Sequence, residues 1–187
     1  MLINRGGLRP GETVLIHGIG GGVAVACLQF AKLFGARVIV TSRSREKLRR
    51  AADLGADEVL PADDQVARAV RGLTNKRGAD VVVDSVGEAT WMQSLKAAAK
   101  GGRILTCGAT SGPKPEEEIR LIFWNQLSII GSTMGSRGDW RRMVKAIELH
   151  QLIPVVDTIL PLADGRTAYE RMEQAEQFAK IVLSIDG

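Results

Sequence analysis

The sequence has few of the residue types that build metal centres, disulfide frameworks or hydrolytic active sites. Its 187 residues include two cysteines, two histidines and one tyrosine. Cys27 and Cys107 stand far apart, which indicates neither a disulfide nor a metal site, and we expect both to be buried, reduced thiols. His17 is expected to pack beside a neighbouring turn, and His150 to lie on the surface. We therefore predict no catalytic residue and no metal ligand in this chain.

Long apolar runs and an N-terminal signal segment are also missing. No stretch approaches the length of a membrane span, so we expect a soluble, cytoplasmic protein without a membrane partner. The hydrophobic content of 45% and the charged content of 25% are ordinary for a globular domain, and the net charge of +4 is modest. The basic segment from Arg43 to Arg50 has no aromatic residue among its charges, so we expect no nucleic-acid partner.

A glycine-rich turn follows the first apolar strand, at residues 13–16, and leads into a helix. Its predicted cofactor contacts are Gly18, Gly20, Gly21, Gly22 and Val23. Glycines let the backbone approach a pyrophosphate closely, and the N-terminus of the next helix attracts the same anion. A strict G-x-G-x-x-G does not fit, whereas Gly18-x-x-Gly21-x-x-Ala24 does. Four glycines in five positions exceed the needs of a tight turn, which favours a dinucleotide site.

The next strand ends without a carboxylate. A helical face, formed by Val23, Cys27, Phe30 and Phe34, and a β-branched strand at residues 37–41 complete a βαβ unit. In such units an acidic side chain after the second strand binds the ribose of NAD, and a non-acidic site accepts NADP. Here Ser42 can donate a hydrogen bond to a 2′-phosphate, and the charged guanidinium group of Arg43 can bind the same phosphate. Lys47 is predicted as a further contact. We predict NADP as the cofactor, with NAD as the alternative.

The rest of the chain alternates between strand and helix patterns. We predict a helix to Leu54, a strand at 58–60, a helix from Asp63 or Asp64 to Leu73, a strand at 81–83, a helix at 90–99, a turn at Gly101 and Gly102, a strand at 103–107, a linking segment to Trp124 and a strand at 127–130. Six strands with crossovers predict an α/β fold, a doubly wound parallel Rossmann sheet. Ligands bind at the carboxyl ends of such strands. The predicted contacts there are Ser85, Val86, Gly108, Ala109, Thr110, Ser132, Thr133 and Met134.

Six segments, taken in order, resemble the medium-chain dehydrogenases and reductases, which include zinc alcohol dehydrogenases and zinc-free quinone reductases. They are residues 9–18, 18–24, 54–57, 83–87, 101–103 and 131–135. The resemblance implies a dinucleotide-binding Rossmann domain at 1–135. It also implies that 136–187 are a small C-terminal remnant of a chaperonin-10-like catalytic domain, with a helix at 140–150, a strand near 156–160, a helix at 167–174 and a strand at 181–185.

The same resemblance implies an oxidoreductase that transfers hydride between a nicotinamide cofactor and an alcohol, aldehyde, ketone, quinone or enone. The family's zinc ligands and most of its substrate pocket belong to an N-terminal half that has no counterpart here. Zinc, if the parent protein has any, is therefore expected in that half, and we expect the chain to be part of a longer protein and inactive alone. Its partners are expected to be a small-molecule substrate and a second copy, joined along the apolar strand from Leu127 to Thr133.

Two other functions stay open. An adenosylmethionine-dependent methyltransferase also has a glycine-rich turn after its first strand, but it usually needs an acidic residue where Ser42 or Arg43 stands. A non-catalytic nucleotide-sensing module would use the same turn without any chemistry. Retention of NADPH but not of adenosylmethionine would distinguish the dehydrogenase domain from the methyltransferase.

Overall fold

A computed structural model describes residues 1–185, and a six-stranded parallel sheet lies at its centre. The strands are β1 (Thr13–Ile16), β2 (Arg37–Ser42), β3 (Glu58–Pro61), β4 (Ala79–Asp84), β5 (Ala98–Thr106) and β6 (Ser128–Gly131). Their order is β3-β2-β1-β4-β5-β6, and every neighbouring pair is parallel. The predicted doubly wound sheet is confirmed. Its strand order reverses between β1 and β4, where folds of this kind form a ligand crevice.

Six helices connect or follow these strands. They are α1 (Gly22–Leu33), α2 (Arg45–Asp53), α3 (Val66–Leu73), α4 (Trp91–Ala97), α5 (Ile119–Trp124) and α6 (Arg137–Leu149). Alternate residues of the central strands point to opposite faces. Val14 and Ile16 of β1 join a buried cluster with Leu28 of α1, whereas Leu15 joins a second cluster with Leu95 of α4. Both faces are apolar, as expected for buried parallel strands.

The chain ends in a second, smaller sheet. Strands β7 (Val156–Pro161) and β8 (Lys180–Ser184) pair in parallel, with a short 3₁₀ turn (Leu162–Asp164) and helix α7 (Gly165–Glu173) between them. The predicted helices and strands of this segment lie within a few residues of these bounds. Among residues 1–185, no helix is both long enough and apolar enough to cross a membrane.

Two connections differ from the sequence prediction. The segment before Trp124 is not a plain link but contains α5, which is too short for a helical repeat to be visible in the sequence. The predicted turn at Gly101 and Gly102 lies inside β5. There the register shifts between the pair Ala79–Ala98 and the pair Val81–Arg103, and Gly101 adopts φ +74°. Glycine allows this bulge to form within a strand.

Three side chains also differ from expectation. Cys27 is buried, but Cys107 is exposed because it follows the end of β5 at the rim of the sheet, so the prediction of two buried thiols was wrong for Cys107. Val23 is 47% exposed, since it lies in the first turn of α1, and the buried face of that helix uses Ala24, Val25, Cys27, Leu28 and Ala31 instead. The N-cap of α3 is Gln65, whose backbone N–H donates to Asp63.

Candidate functional site

The glycine turn, residues 18–22, joins β1 to α1 at the carboxyl end of the sheet. Gly18 has φ +67° and Gly20 has φ +130°, backbone conformations that side-chain-bearing residues rarely adopt. The N–H of Ile19 donates to the carbonyl of Thr41 at 2.8 Å, which fixes the turn against the end of β2. Gly21 is the N-cap of α1 and provides no side-chain cap, and the first helical turn contains no acidic residue. The positive end of a twelve-residue helix therefore faces the turn, where it favours a negatively charged ligand.

Two lysine side chains pack against the glycines of this turn. A Cβ atom added to Gly20 would lie 3.1 Å from Nζ of Lys47, and one added to Gly22 would lie 2.6 Å from Nζ of Lys180. Lys47 belongs to α2, and Lys180 is the first residue of β8. Desolvation lowers the pKa of Lys47, with Asp157 acting in the opposite direction. Two ammonium groups and a helix N-terminus at one glycine-rich turn form a setting suited to a phosphate anion.

A segment near the end of the chain, residues 175–180, crosses the glycine turn, and we call it the C-terminal strap. The N–H of Ala179 donates to the carbonyl of Gly20 at 2.8 Å. Nζ of Lys47 donates to the carbonyl of Ala175 at 2.5 Å. The strap thus brings Lys180 to the site. Sequence reasoning missed Lys180 because a single lysine before an apolar strand, far from the glycine turn in sequence, has no motif around it.

The end of β2 holds the residues predicted to select the cofactor. Ser42 is buried, and its Oγ accepts a hydrogen bond from the N–H of Ser44 at 3.1 Å, which leaves the hydroxyl proton available for donation. Arg43 is exposed at the rim, close enough to Lys47 that its charge helps to lower the pKa of that lysine, behind desolvation as the largest cause. Ser42, Arg43 and Lys47 therefore lie along one side of the glycine turn.

Asp84 organises the loop after β4. Its side chain is fully buried and accepts hydrogen bonds from the N–H groups of Val86 and Gly87, both at 2.9 Å, and from Oγ of Ser94 at 2.6 Å. A Cβ atom on Gly18 would lie 2.9 Å from a methyl carbon of Val86. The predicted contacts in this loop are thus adjacent to the glycine turn.

The loops after β4 and β5 are joined by hydrogen bonds. The carbonyl of Ser85 accepts from the N–H of Thr110 at 3.3 Å, and the carbonyl of Val86 accepts from the N–H and the hydroxyl of Ser111, each at 2.8 Å. Gly108 approaches Ser85 so closely that a Cβ atom would lie 3.1 Å from the Ser85 carbonyl oxygen. Ser85, Val86, Gly108, Ala109 and Thr110 therefore belong to one unit of the rim.

The remaining predicted contacts follow β6, at the far end of the rim. The N–H of Ser132 donates to the carbonyl of Thr106 at 2.9 Å, which holds this loop beside the end of β5. Thr133 is exposed, and Met134 is 95% exposed with φ +54°. The structure places these three residues at the end of β6, which two strands, β4 and β5, separate from β1, so they do not meet the glycine turn.

His17 packs directly beneath the turn, as predicted. Its side chain is buried, with Nδ1 3.3 Å from Oγ1 of Thr41, and within residues 1–185 its Nε2 atom has no hydrogen-bond partner. Desolvation lowers its pKa, although the charge of Asp84 acts in the opposite direction. His17 is therefore a neutral packing residue. The described part of the chain contains no group of three His, Cys, Asp or Glu side chains that could hold a metal ion.

The model of the zinc-binding dehydrogenase family matches residues 22–148. The chain is 37% identical over 185 residues to a zinc-type alcohol dehydrogenase-like protein of Schizosaccharomyces pombe, covering 96% of this chain and 53% of that protein. It is also 37% identical over 150 residues to a quinone oxidoreductase of Pseudomonas aeruginosa, covering 78% of this chain and 46% of that protein. The chain spans about half the length of these curated relatives.

Solved structures agree with these matches. The crystal structure of an NAD-dependent alcohol dehydrogenase superposes with a TM-score of 0.93 at 42% identity, covering 99% of this chain and 54% of that one. A mycobacterial protein solved in complex with NADPH gives a TM-score of 0.87 at 31% identity, covering 97% of this chain and 59% of that one. Because the family model covers more than half of the chain and the fold agrees over nearly all of it, the chain belongs to the zinc-binding dehydrogenase family of medium-chain dehydrogenases and reductases.

Proposed function

We propose that this chain is the NADP(H)-binding part of an oxidoreductase that transfers hydride between a nicotinamide cofactor and an alcohol, aldehyde, ketone, quinone or enone. The observation that carries the proposal is the packing of the Lys47 and Lys180 side chains against Gly20 and Gly22, at the N-terminus of α1. This site suits a pyrophosphate, because it combines backbone N–H groups with positive charge.

The end of β2 supports NADP over NAD. Ser42 and Arg43 stand where an NAD enzyme uses a carboxylate, and a carboxylate there would repel a 2′-phosphate. Among the relatives, a 2-octenoyl-CoA carboxylase reductase was solved with NADP, whereas the alcohol dehydrogenase with the TM-score of 0.93 is named NAD-dependent. Cofactor preference is therefore the property that most needs measurement.

When bound, the nicotinamide group would supply the hydride chemistry, and this chain would bind and orient it. The glycine turn and the two lysines would hold the pyrophosphate. The joined loops after β4 and β5, with Ser85, Val86 and Thr110, would line the path toward the nicotinamide, and Ser132, Thr133 and Met134 would border its far end. None of these residues is assigned a proton-transfer role.

We propose a boundary at residue 135, with the Rossmann domain before it and a segment of the catalytic domain after it. Catalysis and substrate choice would then depend on the half of the relatives that this chain does not match. The 187-residue chain alone is expected to bind nucleotide without turning over alcohols, aldehydes or quinones. The longer protein to which it belongs is expected to act in the cytoplasm on a small-molecule substrate. The chain is also expected to form a homodimer through β6, the edge strand of the sheet.

The test is a fluorescence titration of the chain with NADPH, NADH and adenosylmethionine. We expect NADPH to bind at least about tenfold more tightly than NADH, since a charge-assisted hydrogen bond to the 2′-phosphate contributes on the order of 1.5–3 kcal/mol. Lys180→Met should weaken both dinucleotides, and Lys100→Met, at an exposed lysine in β5, is the matched control. Binding of adenosylmethionine but of neither dinucleotide would contradict the proposed function.

A further inference from the structure

A buried carboxylate in β7 connects the C-terminal strap to α2. The Asp157 side chain is only 2% exposed. Its Oδ1 accepts a hydrogen bond from Nη1 of Arg50 at 2.7 Å, and its Oδ2 accepts from Nη2 and Nε of Arg171 at 2.9 and 3.0 Å. Arg50 belongs to α2 and Arg171 to α7, so one carboxylate joins the Rossmann sheet's flanking helix to the C-terminal segment.

The ionised form of Asp157 is the stable one in this setting. Burial raises the pKa of the carboxyl group. The hydrogen bonds from Arg50, Arg171 and the Phe178 N–H together lower that pKa by more than burial raises it, so the pKa of Asp157 lies below its ordinary value. Removing a single member of a buried charge group leaves its partners uncompensated. Loss of the carboxylate would leave two guanidinium groups facing each other.

The same cluster continues into the strap. The guanidinium of Arg50 lies 4.4 Å from the centroid of the Phe178 ring, and Phe178 is only 1% exposed. Phe178 is followed by Ala179, which bonds Gly20, and by Lys180, which packs against Gly22. Three consecutive residues therefore connect the Asp157 cluster to the glycine turn.

The strap needs such an anchor because its backbone is strained. Ala175 has φ +53° and Ala179 has φ +75°, left-handed conformations that are unfavourable for a residue with a side chain. Strain of this kind persists only where surrounding contacts hold it. Here the contacts are the Lys47 bond to Ala175, the Ala179 bond to Gly20 and the Asp157 cluster at Phe178.

We propose that Asp157 is a positioning residue for the phosphate site. It holds the C-terminal strap so that Lys180 lies at Gly22, and it holds α2 so that Lys47 lies at Gly20. The inference rests on the proposed nucleotide binding, and it adds a residue that does not itself touch the nucleotide. Lys47 precedes Arg50 by one turn of α2, so the carboxylate that holds Arg50 also holds the helix from which Lys47 extends.

The first measurement compares NADPH affinity in the unmodified chain and in Asp157→Asn. We expect binding to weaken about tenfold, the effect of losing one charge-assisted contact. The matched control is Glu170→Gln, which removes the exposed ion pair of Arg166 and Glu170 on the same helix as Arg171 and should change affinity by less than about twofold. If Asp157→Asn does not fold, Arg171→Gln removes one of the two guanidinium partners and should weaken NADPH binding in the same direction.

The second measurement separates positioning from general loss of stability. In a double-mutant cycle, Asp157→Asn should weaken NADPH binding strongly in the chain with both lysines and by less than about twofold in the Lys47→Met/Lys180→Met background, because the two lysines it positions are gone. An equal loss in both backgrounds would overturn the positioning role. If the unmodified chain binds NADPH and Asp157→Asn binds it equally well, this inference alone is overturned. If the unmodified chain does not bind NADPH, the proposed function is overturned.

Discussion

The N–H of Ala179 donates to the carbonyl of Gly20 at 2.8 Å, so the residue that precedes β8 is bound to the turn that follows β1. The same contact places the next residue, Lys180, at the N-terminus of α1, beside Gly22. The proposed nucleotide site is therefore assembled from residues that lie far apart in the sequence. Changes in the C-terminal segment should affect binding as strongly as changes in the glycine turn itself.

Gly22→Ala should separate stability from nucleotide binding. Gly22 is the first residue of α1 and lacks a positive φ, so alanine suits its backbone and should stabilise the fold by about 0.5 kcal/mol. Its new Cβ atom would lie 2.6 Å from Nζ and Cε of Lys180, so the lysine must move away and NADPH binding should weaken. Chemical denaturation and NADPH titration measure the two effects.

Gly20→Ala is the comparison for that variant. The φ of +130° at Gly20 is unfavourable for alanine, so this change should destabilise the fold by roughly 1–3 kcal/mol as well as weaken binding. If both variants lost stability equally, the assignment of Gly22 to a backbone conformation that suits alanine would be wrong.

Ser42→Asp should reverse or abolish the preference for NADPH. The new carboxylate would stand at the end of β2, repel a 2′-phosphate and accept hydrogen bonds from the ribose hydroxyls of NADH. Titration of NADPH and NADH against the variant measures the change, expressed as the ratio of the two dissociation constants. Ser44→Asp, two residues further and at the N-cap of α2, keeps a good helix cap and serves as the control. A variant Ser42→Asp that retained the original ratio would show that the 2′-phosphate binds elsewhere.

The sheet could be predicted from the sequence because its signals are local. β1, β2 and β4 are short apolar runs, of which β2 ends in Ser42 and β4 in Asp84, and the glycine turn shortly after β1 marks the first crossover directly. The sequence prediction missed α5 and the bulge in β5 because neither feature produces a repeating pattern in the sequence. α5 is only six residues long, and the bulge at Gly101 is visible only as a shift in pairing between β4 and β5.

The site could be predicted only in part, because half of it depends on contacts between distant residues. Gly20, Ser42 and Lys47 belong to one βαβ unit and the helix that follows it, so a single sequence pattern predicts all three. Lys180 and Asp157 are far from them, and neither has a motif that indicates a role. Their place is set by the strap and by the ion-pair cluster, which form only when the small sheet packs against α2.

The two thiols should react at very different rates. Cys27 is buried, and desolvation, the largest cause, raises its pKa to about 12. Desolvation also raises the pKa of Cys107, but that side chain is exposed. Because only the thiolate reacts, both should react slowly near neutral pH, with Cys107 faster and accelerating as pH rises. A thiol-reactive dye should label one site in the native protein and two after unfolding. Mass spectrometry of Cys107→Ser identifies the site, and rapid native labelling of that variant would contradict the burial of Cys27.

The last prediction concerns the free edge of β6. Gly131 is the final residue of this strand, and Arg5 donates two hydrogen bonds to its carbonyl, at 2.7 and 3.2 Å, so part of the edge is already covered. Ile129 is 38% exposed, whereas Ile130 packs against the buried cluster around α1.

Ile129→Lys should therefore disrupt the proposed homodimer without disturbing the core, because a lysine on an edge strand opposes pairing with a second copy. Val59→Lys is the matched control, since Val59 is 36% exposed on β3 at the opposite edge of the same sheet. Light scattering at micromolar concentration should give a dimer for the unmodified chain and for Val59→Lys, and a monomer for Ile129→Lys. A monomeric unmodified chain would contradict dimerisation through β6, and a dimer that Ile129→Lys leaves intact would place the interface elsewhere.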